Sequence, residues 1–176
     1  MGAMIFTVGN LLLLVMLIIA AITDIRSHRI PNWLTFPAMI VGVGFNVISA
    51  GAAGFVFGLG GLLLGMGLLI VFYALGGMGA GDVKLMGAVG SMLGPQMVLW
   101  AAFYTAIFGG IYAVGVILFH PRLREKRRAV AEAFKNFIFY RTFNYNKPAE
   151  EENVPKLCYG VAIAIGTIAA VVLKSV

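Results

Sequence analysis

Two aspartates could do chemistry in this chain. Asp24 ends the first apolar run, and Asp82 sits in Gly79-Ala80-Gly81-Asp82-Val83-Lys84, between two further apolar runs. They are the only aspartates in 176 residues, and the five other acids are glutamates in one polar segment. A carboxylate at membrane depth is costly and therefore usually functional. Two neighbouring aspartates cannot both ionise cheaply. They tend to share a proton, one acting as base on a water while the other donates to a carbonyl, which is peptide hydrolysis by the aspartic mechanism. Asp82, read as directly preceding a helix, would favour the anion, and Asp24, read as following one, would not, so Asp82 is expected to start as the base.

The residues near the pair have plainer readings. Lys84 lies two positions from Asp82 and is read as a supporting charge, because no serine has a distinctive placement for a Ser-Lys mechanism. His28 stands in a basic loop with no second histidine at ligand spacing, and His120 marks a helix end, so no metal site is expected. Glu150-Glu151-Glu152 points its acids in different directions and is read as solvated. Cys158, the single cysteine, cannot form an intramolecular disulfide and reads as a small buried apolar residue. No cofactor is expected.

The elements that must position the pair follow from composition. Hydrophobic residues make up 61% and charged residues 11%, and the mean hydropathy is +0.96, outside what a water-soluble core of this size requires. The chain reads as an all-α polytopic membrane protein, a single domain over 1–176 with six transmembrane helices at about 4–22, 33–50, 55–75, 83–93, 96–119 and 157–173. The net charge of +6 comes from loops beside apolar spans, where positive-inside topology is the simpler cause than nucleic acid, and no nucleic acid partner is expected. The first run has no basic residue before it and no small-residue cleavage site after it, so it reads as a span rather than a signal peptide.

Along the chain, Asp24 to Asn32 reads as a short polar loop, with Pro31 and Asn32 breaking the chain before the second span. Gly51-Ala52-Ala53-Gly54 reads as a tight connection. Gly54, Gly58, Gly61 and Gly65 recur on one face of the third span and predict a seam where another helix approaches closely. Gly76, Gly77, Gly79 and Gly81 suit a loop into which another backbone, such as an extended substrate, can come close. Val83 to Leu93 is short, about 11 residues that would span only about 16 Å as a helix, before Gly94-Pro95 interrupts it. Residues 120–156 form the extended polar region, whose first half reads as a basic amphipathic helix against anionic lipid headgroups, over about 120–145.

Topology decides whether the aspartates can meet. The basic loops after the first and fifth spans should both be cytoplasmic, so an even number of crossings separates them. Counting Val83 to Leu93 as its own crossing gives four. Both termini are then outside, and the loops carrying Asp24, Asp82 and residues 120–156 share the cytoplasmic side of the cell membrane. The short segment also places Asp82 about 10 Å or more beneath the inner interface, where irregular backbone is tolerated only in protein or a water-filled cavity.

Gly79-Ala80-Gly81-Asp82, a GxGD signature, together with Asp24 and Ile30-Pro31-Asn32, resembles the type IV prepilin peptidase family of intramembrane aspartic proteases. The similarity extends to Val83-Lys84-Leu85 and to Tyr159-Gly160-Val161-Ala162-Ile163-Ala164 in the last span. The resemblance implies cleavage of the short basic leader of prepilin-like proteins on the cytoplasmic side of their apolar helix, commonly after a glycine. Asp24 and Asp82 would be the catalytic pair, and Gly79, Gly81, Lys84, Pro31 and Asn32 the surrounding motif and substrate cavity. The chain has no cytoplasmic insert with paired cysteines between the first two spans, which longer members carry, so the expectation does not extend to amino-terminal methylation. The compact form is similar to the peptidases of tight-adherence (Flp) pilus systems and to the archaeal preflagellin peptidases. The competing reading of the carboxylate pair is a proton- or cation-coupled transporter. A third is a non-catalytic assembly factor.

Overall fold

A helix of 43 residues would be about 65 Å long, roughly twice the hydrocarbon thickness of a bilayer. The second apolar helix of this chain has that length yet does not run straight. In a computed structural model, which describes residues 2–75, 77–119 and 158–174, with the side chains of 9–75, 77–116 and 158–174, the elements are α1 (Gly2–Ser27), α2 (Asn32–Ala74), α3 (Ala80–Phe119) and α4 (Tyr159–Lys174). Every element among the described residues is a helix. Residues 1–110 and 158–176 form one compact unit and 111–157 a second. The described part of the second is the end of α3.

Both long helices break at a glycine with positive φ, Gly51 (φ 60) in α2 and Gly94 (φ 79) in α3. L-residues other than glycine reach this conformation at a cost. Each break turns the chain back on itself. A Cβ built on Gly58 would lie 3.2 Å from the Val43 Cα, although fifteen residues of straight helix span about 22 Å. Across the other break, a Cβ on Gly65 would meet the Met86 backbone and lie 3.1 Å from Val98 Cγ2, two residues that a straight helix would hold about 18 Å apart. Pro95, after Gly94, removes one more helical hydrogen bond. α2 and α3 are therefore helical hairpins.

The seam read from the glycine spacing is where these hairpins interlock. A Cβ on Gly61 would strike the Gly90 carbonyl, a Cβ on Gly90 would strike the Gly61 carbonyl, and Gly65 faces the Met86 backbone. The second arm of α2 thus packs backbone to backbone on the first arm of α3, as small residues allow. Asn46 fastens the far end, its side-chain N–H donating to the Ser91 carbonyl at 2.9 Å. α1 packs on α2 and α4. Leu17, Ala20, Leu85, Met86, Val89 and Ile163 are buried in the shared core.

The outer surface is apolar. Ile40 is 73% exposed, Ile48 83% and Val56 70%, a distribution that water does not tolerate over a large continuous area. Three helices, α1, α2 and α3, are long and apolar enough to cross a membrane, and α4 is a shorter apolar helix.

Several boundaries differ from the sequence expectation. The first helix does not end at residue 22 but runs to Ser27, so Asp24 lies in its last turn rather than in a loop. The turn holds because the Ser27 hydroxyl donates to the Thr23 carbonyl at 2.7 Å and the His28 N–H to the Asp24 carbonyl at 2.8 Å. The connection at 51–54 contracts to Gly51 alone, and the helix resumes at once. α3 starts at Ala80, before Asp82 rather than after it. The basic amphipathic segment expected over 120–145, and the glutamate run, lie outside the described residues.

Candidate functional site

Three chain segments meet at the end of the bundle where α1 finishes and α3 and α4 begin. Asp82 is the third residue of α3. Its Oδ2 accepts the Gly79 N–H at 3.0 Å, while its own N–H donates to the Gly79 carbonyl at 3.1 Å. This is one half of a capping box, the carboxylate reaching back over the helix start to the N-cap N–H, while Gly79 has no side chain to supply the other half. Asp82 is therefore fixed by its own GxGD turn.

Gly81 lets that turn lie on the Ile30-Pro31-Asn32 segment. A Cβ there would stand 3.0 Å from Ile30 Cβ and 3.3 Å from the Ile30 nitrogen and oxygen. Pro31 is the N-cap of α2, with φ −72 and ψ 143, and its carbonyl accepts the Leu34 N–H at 3.1 Å. The Lys84 ammonium donates to Asn32 Oδ1 at 2.9 Å and stands 5.0 Å from the centre of the Phe36 ring. The lysine is thus a strut between the two motif segments.

Asp24 is held from a different direction. Its Oδ2 accepts the Gly160 N–H at 2.8 Å, so the carboxylate of α1 caps the first turn of α4. The fit excludes a side chain at Gly160, because a Cβ there would lie 2.9 Å from that Oδ2. Beside it, His28 adopts φ 49 at the end of α1, and its Nδ1 is 3.3 Å from the Cys158 Sγ. Cys158 is partly exposed rather than buried.

Asp24 and Asp82 are both buried, 4% and 7% exposed, and close enough to interact electrostatically. Tyr159, at the start of α4, also lies within electrostatic range of Asp82. A cavity of about 420 Å³ opens alongside, with Thr23, Ser27, Arg29, Pro31, Asn32 and Trp33 among its walls. The asymmetry expected from helix ends is absent: each carboxylate accepts an N–H from the start of a helix, Asp82 from its own and Asp24 from α4. A pair of neighbouring carboxyls held in this way can take a proton from a water and return one to a leaving group.

All seven residues singled out from the sequence, Asp24, Asp82, Gly79, Gly81, Lys84, Pro31 and Asn32, fall in this cluster. Residue chemistry alone gave no role to Tyr159 and Gly160. The signal available was a glycine at the start of the last apolar helix, where a backbone N–H is free to bind an anion.

Residues 11–114 match the type IV leader peptidase family. The chain is 33% identical over 105 residues to a prepilin leader peptidase/N-methyltransferase of Bacillus subtilis, covering 58% of this chain and 42% of that protein. It is 30% identical over 131 residues to a protein of the same description from Aeromonas salmonicida, covering 68% and 43%. The chain thus spans less than half the length of these relatives. No solved structure matches it.

Proposed function

This chain belongs to the type IV leader peptidase family, and from that premise we propose that it is an intramembrane aspartic endopeptidase that removes the leader of prepilin-like proteins at the cytoplasmic face of the inner membrane. The observation that supports this best is that Asp24 and Asp82, from helices far apart in sequence, are both buried, lie within electrostatic range of each other and are each oriented by a helix-start N–H.

In the proposed reaction the ionised carboxylate takes a proton from a water lying between the pair. The water oxygen attacks the scissile carbonyl, and the protonated carboxyl donates to the carbonyl oxygen. Collapse of the tetrahedral intermediate breaks the C–N bond and a proton passes to the leaving amine. This leaves a new carboxylate on the leader and a new amino terminus on the mature protein. The glycines of the GxGD turn let an extended substrate backbone approach Asp82, and the cavity walled by Thr23, Asn32 and Trp33 takes side chains beside the cleaved bond.

The membrane arrangement belongs to the same proposal. α1, the two arms of α2, the two arms of α3 and α4 make six crossings, with the aspartates on the cytoplasmic side and both termini outside. Nothing in the comparisons favours a transporter, and amino-terminal methylation, part of the relatives' description, is not proposed here. The test is coexpression of candidate prepilins with the wild type, Asp24→Asn or Asp82→Asn, following the substrate by mass. The proposal expects loss of the leader with the wild type alone. Uncleaved substrate with every candidate and the wild type would count against it.

A further inference from the structure

At the end of the bundle away from the aspartates lies a second and larger cavity, of about 560 Å³. It is far from the site: Lys174, on its wall, is fourteen residues along α4 from Gly160, about 21 Å of helix. The volume falls within the range of roughly 300–1,000 Å³ usual for small-molecule sites. Its walls are mostly apolar, including Leu12, Phe45, Phe57 and two methionines, Met92 and Met97, whose flexible side chains adapt to irregular occupants.

Lys174 is the one charged wall residue. Its ammonium stands 4.0 Å from the centre of the Trp100 ring. The acids among the described residues are Asp24 and Asp82, both at the other end. A cation at the rim of an apolar cavity, with no carboxylate among the described residues near it, matches an occupant that carries an anion on an apolar chain.

We propose that this cavity holds an acyl chain of an anionic phospholipid in the leaflet opposite the aspartates, with the headgroup phosphate on Lys174. Phosphatidylglycerol meets both requirements, whereas the zwitterionic headgroup of phosphatidylcholine offsets its own phosphate. The cavity chemistry carries the proposal independently of the peptidase reading, and its test does not use activity.

Trp33 and Trp100 are the two tryptophans of the chain. Trp33→Phe therefore leaves Trp100, under the Lys174 ammonium, as the fluorescent reporter. The purified full chain, reconstituted in vesicles of brominated phosphatidylglycerol mixed with plain phosphatidylcholine and in the converse mixture, reports by quenching which lipid it gathers. One lysine facing an anionic headgroup supports a preference of about five-fold for phosphatidylglycerol. Lys174→Gln should abolish the preference, Lys174→Arg should retain it, and Ser49→Phe, which adds bulk at the cavity wall, should weaken it. Equal quenching by the two lipids in the Trp33→Phe protein, or a preference that survives Lys174→Gln, would overturn the proposal.

Discussion

At Gly160 one methyl group separates a working carboxylate from a displaced one. Its Cβ would lie 2.9 Å from Asp24 Oδ2 and 3.1 Å from Asp24 Cβ and Cγ, so Gly160→Ala must push the acid out of place or pull α4 away. A displacement of about 1 Å near the reacting atoms can cost about a hundred-fold in rate. We expect Gly160→Ala to lower kcat by that order while circular dichroism keeps its helical signal. A loss below two-fold would remove Gly160 from the account. The Lys84–Asn32 contact makes a milder claim, since one hydrogen bond and one cation–π contact are each worth about 0.5–1.5 kcal/mol. Lys84→Met and Asn32→Leu should each slow cleavage by roughly two- to ten-fold, and the double variant should be no slower than the worse single one. Additive losses would show that the two residues act separately. The sequence, read through its resemblance to the family, placed Lys84 and Asn32 with the aspartates, and residue chemistry gave Gly160 no role. It did not reveal what holds them. The Asp24–Gly160 bond joins residues 136 apart, and no local pattern encodes it.

The breaks in the long helices were the most legible elements, because Gly51 and Gly94-Pro95 interrupt apolar runs too long for one crossing. The end of α1 was the least legible. The stretch Thr23-Asp24-Ile25-Arg26-Ser27 has the composition of a loop. It stays helical because the Thr23 and Ser27 hydroxyls bond to carbonyls of the preceding turn and the charge of Asp24 is met from α4. The glycine seam separates structural glycines from idle ones. Gly61 faces the Gly90 backbone, whereas a Cβ on Gly67 would meet nothing within 4 Å. Gly61→Ala should destabilise by about 1–3 kcal/mol, the usual cost of overpacking. Gly67→Ala should be neutral or gain up to about 1 kcal/mol in helix propensity. Unfolding midpoints of the two variants in the same detergent check this, and equal midpoints would contradict the seam.

For the whole molecule the question is whether the two acids share one side of a membrane. The proposed six crossings put Ser27 and Gly77 on the cytoplasmic side and Ser49 outside. With Cys158 replaced by Ala, single cysteines at these positions should divide accordingly when membrane-impermeant maleimide is applied to spheroplasts and to inverted vesicles. Labelling of positions 27 and 77 from opposite sides would break the topology. Composition made the apolar exterior legible, and the parity of basic loops is the ground for the proposed crossing count. The described residues do not include 120–157, so the lipid-facing role expected of that basic segment stands on sequence alone. The account as a whole depends on Asp24 and Asp82 acting as one unit. The most direct measurement is single-turnover cleavage of a prepilin-like substrate by the purified chain in vesicles, with the products resolved by mass. The account predicts one cut that releases the leader with the wild type, and none with folded Asp24→Asn or folded Asp82→Asn. Cleavage at the same bond by either variant, at a rate near that of the wild type, would contradict it.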